Sequence, residues 1–326
     1  MVKVELGVHV DGFPALVAHT VVVRSNKAAP IGGKKADVIL AAYKAAQASL
    51  RLIKPGNFNK DVTEVIEKVC GDYEVNPLEG VLSHELKKHL IDGNKVIINK
   101  ENYDQSVEKS EFAVHDVFAL DVFVSSGEGK AKEADVRCTV YKRALDRTYN
   151  LKIKQSRQFF NEVAERYPSF CFSINGFEDL ISAKLGVKEC MEHELLVPYP
   201  VLAEKQGEVV AQFKLTIMIT KGKTTALTGL PLDEAEFKAD HELKNEHALE
   251  LLAVLMCLPR CRWTRQSRRK PRRRRRPLLS DFSWLYLTYD FDMQLTVRLV
   301  GGVGTGEEVL LMSWWVSVGG SGGVGG

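Results

Sequence analysis

Residues 2–20 read VKVELGVHVDGFPALVAHT. Val2, Val4, Leu6, Val8 and Val10 alternate with Lys3, Glu5, Gly7 and His9, the period of two that sends successive side chains to opposite faces of a strand. Asp11-Gly12 follows as a two-residue turn signal, and a second β-rich run extends from Ala15 to Val23, so a hairpin opens the chain. Paired strands can hold two carboxylates side by side above a metal ion. Whether this hairpin does so decides what the protein is.

Outward from the hairpin, KADVILAAYKAAQASLRLIKPG (35–56) predicts a helix that keeps Val38, Ala41, Ala42, Ala45, Leu50 and Ile53 mostly to one face and stops at Lys54-Pro55-Gly56. KDVTEVIEKVCGDY (60–73) repeats the pattern, with Asn59 or Asp61 as its cap. A polar stretch around Ser83-His84 precedes a KVIINK strand and then VFALDVFVSS (117–126), a nearly continuous apolar run expected of a central strand buried on both faces. A polar loop, the strand CTVYKR, two helices (155–167 and 177–196), the strand EVVAQFKLTIMIT (208–220) and an amphipathic helix over 241–258 complete the plan. Helices and strands mixed with hairpins indicate an α+β architecture. From about Pro259 the character changes: 259–279 is a basic segment, and 280–326 is a Gly-rich tail without a coherent strand plan, expected to be disordered.

Composition narrows the function classes. With 326 residues and 45% hydrophobic content, the chain can bury a substantial core. No basic start leads into a long apolar run and no 18-residue uncharged apolar stretch occurs, so neither a secretory signal nor a membrane span is expected. Cys70, Cys138, Cys171, Cys190, Cys257 and Cys261 are scattered without a CxxC pair and read as reduced, mostly core residues. Net charge is +3, yet RCRWTRQSRRKPRRRRR (260–276) alone holds eleven Lys or Arg and no acid, leaving the remainder at −8.

Several motifs fail on spacing. His84-Glu85-Leu86-Lys87-Lys88-His89 is one residue too long for a zincin helix, because residues i and i+5 are rotated by roughly 140° rather than sharing a face. SGEGKAK lacks the G-x-x-x-x-G-K-[ST] spacing that wraps phosphates, and no G-x-S-x-G elbow presents a serine nucleophile. Glu5, Asp11, His84, His89 and Asp121 remain as metal candidates at strand ends, with ordinary surface or turn roles as the alternative.

Taken together, KVELGVHVDGFPALVAHT, GGKKADVI, LEGVLSHELKKHLIDG, FALDVFVSSGEGKAKEAD, VYKR and GEVVAQFKLTIMI resemble the proliferation-associated, ErbB-binding homologues of type 2 methionine aminopeptidases. The resemblance runs from Val2 to Leu258 and implies a pita-bread fold over 1–258, two α+β halves around a sheet that carries a dinuclear metal site in the active enzymes. Those enzymes use two Asp on the first hairpin, one His and two Glu. Here the five positions read Glu5, Leu16, His84, Asp121 and Lys214, so only the histidine is unchanged. The resemblance therefore implies a pseudoenzyme with no cofactor, in which Lys214 neutralises the leftover carboxylates as an ion pair. An active metal-dependent aminopeptidase is the alternative.

The family also implies a growth regulator associated with RNA and ribosomes, with protein partners in signalling and transcriptional repression, located in cytoplasm, nucleus and nucleolus. Arg268, Arg269, Lys270, Arg272, Arg273, Arg274, Arg275 and Arg276 are the candidate nucleic-acid contacts, since clustered guanidinium groups fork onto phosphates and release counterions. Trp263 lies in the same segment and can stack on a base. An import signal alone, or a protein-interaction scaffold without RNA binding, are the competing readings. Family members carry further sequence before the first hairpin, and its absence predicts an incomplete fold whose first strand has an uncovered edge. LELLAVLMCL (249–258) lacks L-x-x-L-L spacing and is expected to pack as ordinary core.

Overall fold

Alternation along three strands divides the molecule into two faces. The structure is a computed structural model; it describes residues 1–25, 29–103 and 105–254, and the backbone of the strands Tyr286–Tyr289, Met293–Thr296 and Leu311–Val318. The elements that place the site are β1 (Val2–Val10), β2 (Phe13–Val21), α1 (Lys34–Leu52), α2 (Asn59–Asp72), β3 (Leu82–Glu85), β4 (Val96–Ile98), β5 (Val117–Ser125), β6 (Val140–Arg143), α3 (Lys154–Arg166), β7 (Cys171–Ser173), α4 (Leu180–Glu192), β8 (Leu196–Tyr199), β9 (Val210–Ile219), α5 (Glu246–Ala253) and β10 (Leu311–Val318). A nine-stranded sheet runs β10-β1-β2-β9-β5-β3-β4, with Thr224–Ala226 added beside β9 and Asn76–Pro77 beside β5.

Along β5 and β9 one face of this sheet is apolar. Phe118, Leu120, Val122 and Val124 of β5 and Ala211, Phe213, Leu215, Ile217 and Ile219 of β9 meet α1 and α2 in the main core. The opposite face carries Ala119, Asp121 and Phe123 of β5 and Gln212, Lys214 and Thr216 of β9, all buried or half-buried. The reading of 117–126 as a strand covered on both faces is therefore correct, and its odd positions look toward the site.

α1 differs from its expected one-sided pattern. It is buried almost all round, because β5 and β9 lie under it while α2 and α5 flank it, and its alanines let these neighbours approach. α2 begins at Asn59 itself: Phe58 N–H donates to Asp61 Oδ2 (2.9 Å), while Asn59 Oδ1 accepts from Lys60 N (3.0 Å) and Ser110 N (3.0 Å). α5 is shorter than the 241–258 helix expected. Asp37 Oδ1 accepts from Asp240 N (2.9 Å) and His241 N (3.1 Å), and Asp72 Oδ2 accepts from Lys244 N (2.8 Å) and Asn245 N (2.7 Å), which fixes the backbone of 240–245 on other helices, and Asn245 then caps α5 by accepting from Ala248 N (3.0 Å). Ala248 is buried and Leu251 and Leu252 pack on the core, whereas Leu249 is 45% exposed.

A second core lies in a smaller lobe. β7, β6 and β8 form a three-stranded antiparallel sheet against α3 and α4, around Tyr141, Phe159, Phe172 and Phe177. Lys3–Val10 pair in parallel with Leu311–Val318, so the edge of β1 that the sequence left uncovered has a partner. The candidate residues Arg268 to Arg276, Trp263, Cys257, Cys261 and the rest of 255–326 outside the three strands lie outside the described residues, as does the expectation of a disordered tail there.

Candidate functional site

Cross-strand register builds the site. Glu5 of β1 stands opposite Ala18 of β2, Ala18 opposite Lys214 of β9, and Lys214 opposite Asp121 of β5, giving one row across four adjacent strands. Side chains in such a row share a face, and strands spaced about 4.8 Å apart put Glu5 and Lys214 roughly 10 Å apart at their backbones. The four-carbon lysine stem covers that distance over Ala18, whose methyl side chain leaves the path open. Lys214 Nζ bonds Glu5 Oε1 and reaches Asp121 Oδ2 at 2.7 Å. Gln212, two residues before Lys214 and so on the same face, donates from Nε2 to Asp121 Oδ1 (3.0 Å).

His84 of β3 faces Ala119, one row along from Asp121. Leu16, two residues before Ala18, is 7% exposed. Its backbone N–H donates to Thr216 Oγ1 (2.7 Å), and its carbonyl accepts from Thr216 Oγ1 (2.8 Å) and Thr228 Oγ1 (2.6 Å), so hydroxyls substitute here for a stretch of sheet ladder. All five positions assigned from the sequence, Glu5, Leu16, His84, Asp121 and Lys214, line one cavity of about 350 Å³. Thr139, Val140, Cys171 and Tyr199–Leu202 of the smaller lobe form its far wall.

The electrostatics are those of a closed ion triad. Burial pushes the Asp121 carboxyl up to about 6, with Lys214 pulling it back and Glu5 adding to the rise. Burial alone would lower the Lys214 ammonium, but the carboxylates of Asp121 and Glu5 overcome it and hold the group above the usual lysine value. Lys214 is thus a fixed cation and no base. Burial lowers His84, against a bond to the Gly93 backbone and the nearby Asp92 carboxylate, so its imidazole is neutral at pH 7; its Nδ1 is buried without a hydrogen-bond partner. The Cys171 thiol is pushed up to about 11 by burial and is no thiolate nucleophile.

These residues do not fit two divalent ions. Three donors remain of the five, the Leu16 side chain offers none, and the Lys214 ammonium lies between the two surviving carboxylates. A dication 4 Å from that ammonium would be repelled by roughly 8 kcal/mol at an effective protein dielectric, before any loss of the existing pairing. The dinuclear metal site is therefore lost. Among the described residues, no group of three or more His, Cys, Asp and Glu is placed to hold a metal ion.

Other candidates separate from this site. Asp11 sits in the hairpin turn at φ 50°. His89, at φ 60°, packs its ring against Gly12, where a Cβ would come within 2.3 Å of the imidazole, and it stacks on Phe170 at 6.4 Å. Residues 84–89 form no helix: Glu85 ends β3 and pairs with Lys87 at 2.9 Å. The described cysteines are free, with Cys70, Cys171 and Cys190 buried and Cys138 half-buried, in keeping with the reduced core reading. Sequence reasoning missed Gln212, Thr216 and Thr228. The period of two from Lys214 places Gln212 and Thr216 on its face, whereas Thr228 arrives by a fold-back that no local pattern announces.

No family model matches the chain. Over 237 residues it is 43% identical to ERBB-3 BINDING PROTEIN 1 of Solanum tuberosum, a match covering 72% of this chain and 60% of that protein. Over 255 residues it is 38% identical to Curved DNA-binding protein of Schizosaccharomyces pombe, covering 77% of this chain and 66% of that protein. The chain thus spans 60 and 66% of the lengths of these two relatives. The solved structure of a thermophilic Arx1 superposes with a TM-score of 0.69 at 31% identity, covering 75% of this chain and 71% of that one.

Proposed function

Because the chain belongs to the family of proliferation-associated, ERBB-3-binding proteins built on the pita-bread fold of methionine aminopeptidases, we propose that it is a non-catalytic, RNA- and ribosome-associated regulator of growth and translation. The observation that carries the non-catalytic half is Lys214, whose ammonium holds Glu5 and Asp121 where the active enzymes hold metal. The nucleic-acid half is supported by the arginine segment 260–276 and by a relative named for DNA binding. Partners in growth signalling and transcriptional repression, and a distribution between cytoplasm, nucleus and nucleolus, belong to the same proposal. No helix among the described residues is long and apolar enough to cross a membrane.

Co-sedimentation with ribosomes across a salt series, comparing the whole chain with a variant whose eight basic residues within 268–276 are replaced by serine, tests this reading. Retention of that variant at physiological salt is the expected result, with the basic segment adding a salt-sensitive increment. If all eight basic residues of 268–276 contact single-stranded RNA, the logarithm of that increment falls against log salt with a slope of about −6. Release of methionine from a peptide by the purified protein, or ribosome binding carried only by the polycation, overturns the proposal.

A further inference from the structure

β1 is paired on both sides. β2 takes one side over nine positions, and on the other Lys3 to Val10 face Leu311 to Val318 in parallel without a break in register. We infer that Leu311–Val318 is an intramolecular strand complement, a tethered segment that closes the β1 edge against a second copy of the chain.

Four observations converge on this. A parallel pair needs a connection of a dozen residues or more, and the chain between Val10 and Leu311 is far longer than that. The segment reads LMSWWVSV, aromatic and β-branched with no charge and no proline, between Gly301-Gly302-Val303-Gly304-Thr305-Gly306 upstream and Gly319-Gly320 downstream. A window of that composition is an aggregation hazard when exposed, and so is an open strand edge; docking one on the other removes both. β1 offers a matching apolar row, because Val2, Val4, Leu6, Val8 and Val10 alternate onto the face away from the cavity. β10 also runs beside β7, so one segment touches both the large sheet and the smaller lobe.

The pairing reaches the ion triad through the backbone, since Ser313 stands opposite Glu5. Docking therefore steadies the strand that presents Glu5 to Lys214. A second copy competes poorly for this edge, because pairing with the chain's own segment is intramolecular.

Amide hydrogen exchange on the full chain and on a Trp314→Pro/Trp315→Pro variant tests the assignment, because, of two adjacent amides on this edge strand, one points at β1, and prolines at both remove it. Expected in the variant is exchange at least ~10-fold faster at the alternate β1 amides that do not bond β2, with β5 and β9 still protected, and dimers or larger species on size exclusion. Unchanged β1 protection beside an intact β5–β9 pair overturns the inference. Should protection fall throughout the sheet, a Leu6→Cys/Trp314→Cys chain decides, its products located by peptide mass: an intrachain disulfide between the introduced thiols in the monomer supports the pairing, and free thiols or interchain links reject it.

Discussion

Lys214 replaces a carboxylate with a cation, and the energetic consequence is largest where it is buried. Removing it in Lys214→Met takes the shared ammonium away from Glu5 and Asp121 in the cavity floor. Breaking a buried pair from one side costs about 3–5 kcal/mol, and that loss at pH 7 is the expected outcome of a urea titration. Its pH dependence is signed by Asp121. The folded state holds this carboxyl at about 6, above its unfolded value, so between the two the folded chain binds more protons than the unfolded one and stability declines as pH rises. Without the ammonium the window moves upward, so Lys214→Met is expected to regain part of its deficit as the pH is lowered from 7 to 5. A deficit that grows over that interval contradicts the triad. The chemistry of these residue types was legible in the sequence, because a leucine and a lysine at ligand positions are wrong for any metal site, but the reach of one ammonium to two carboxylates was not.

At the scale of elements, packing overrides propensity. Gly186 sits in the interior of α4, where glycine costs about 1 kcal/mol relative to alanine, yet a Cβ there would come within 2.6 Å of the Phe159 ring on α3. Gly186→Ala is therefore expected to destabilise by about 1–3 kcal/mol despite the gain in helix propensity, and a denaturant midpoint above that of the unaltered protein would show that the aromatic cluster can shift. The start of α5 makes the same point, since Asp37 and Asp72 reach in from other helices to hold the backbone of 240–245 out of a helix that the apolar pattern favours.

The whole molecule rests on two cores joined across the cavity. Phe170, just before β7, lies 4.5 Å from the His9 ring of β1 and 6.4 Å from His89, so one buried aromatic fastens the smaller lobe to the large sheet. Burial pushes the His9 imidazole below its usual value and His89 pushes it further down, which keeps this contact uncharged at neutral pH. Phe170→Ala is expected to cost roughly 3–5 kcal/mol and to separate the unfolding of the two cores into two transitions seen by different probes. A single coincident transition with an unchanged midpoint would mean that the lobe is held elsewhere.

The sequence by itself determined the α+β class, the hairpin that opens the chain and the doubly buried strand 117–126, because each is written in local periodicity, whereas Glu5, Leu16, His84, Asp121 and Lys214 were singled out as one set by the resemblance to the aminopeptidase family. Tertiary structure alone decided that these five line one cavity, that Ala18 lets Lys214 span two strands, that Thr216 and Thr228 stand in for sheet ladder, and that Leu311–Val318 meets Lys3–Val10. Period two tells which face a side chain takes, while the partner across the sheet is fixed by register between segments as much as 300 residues apart, which no local pattern contains.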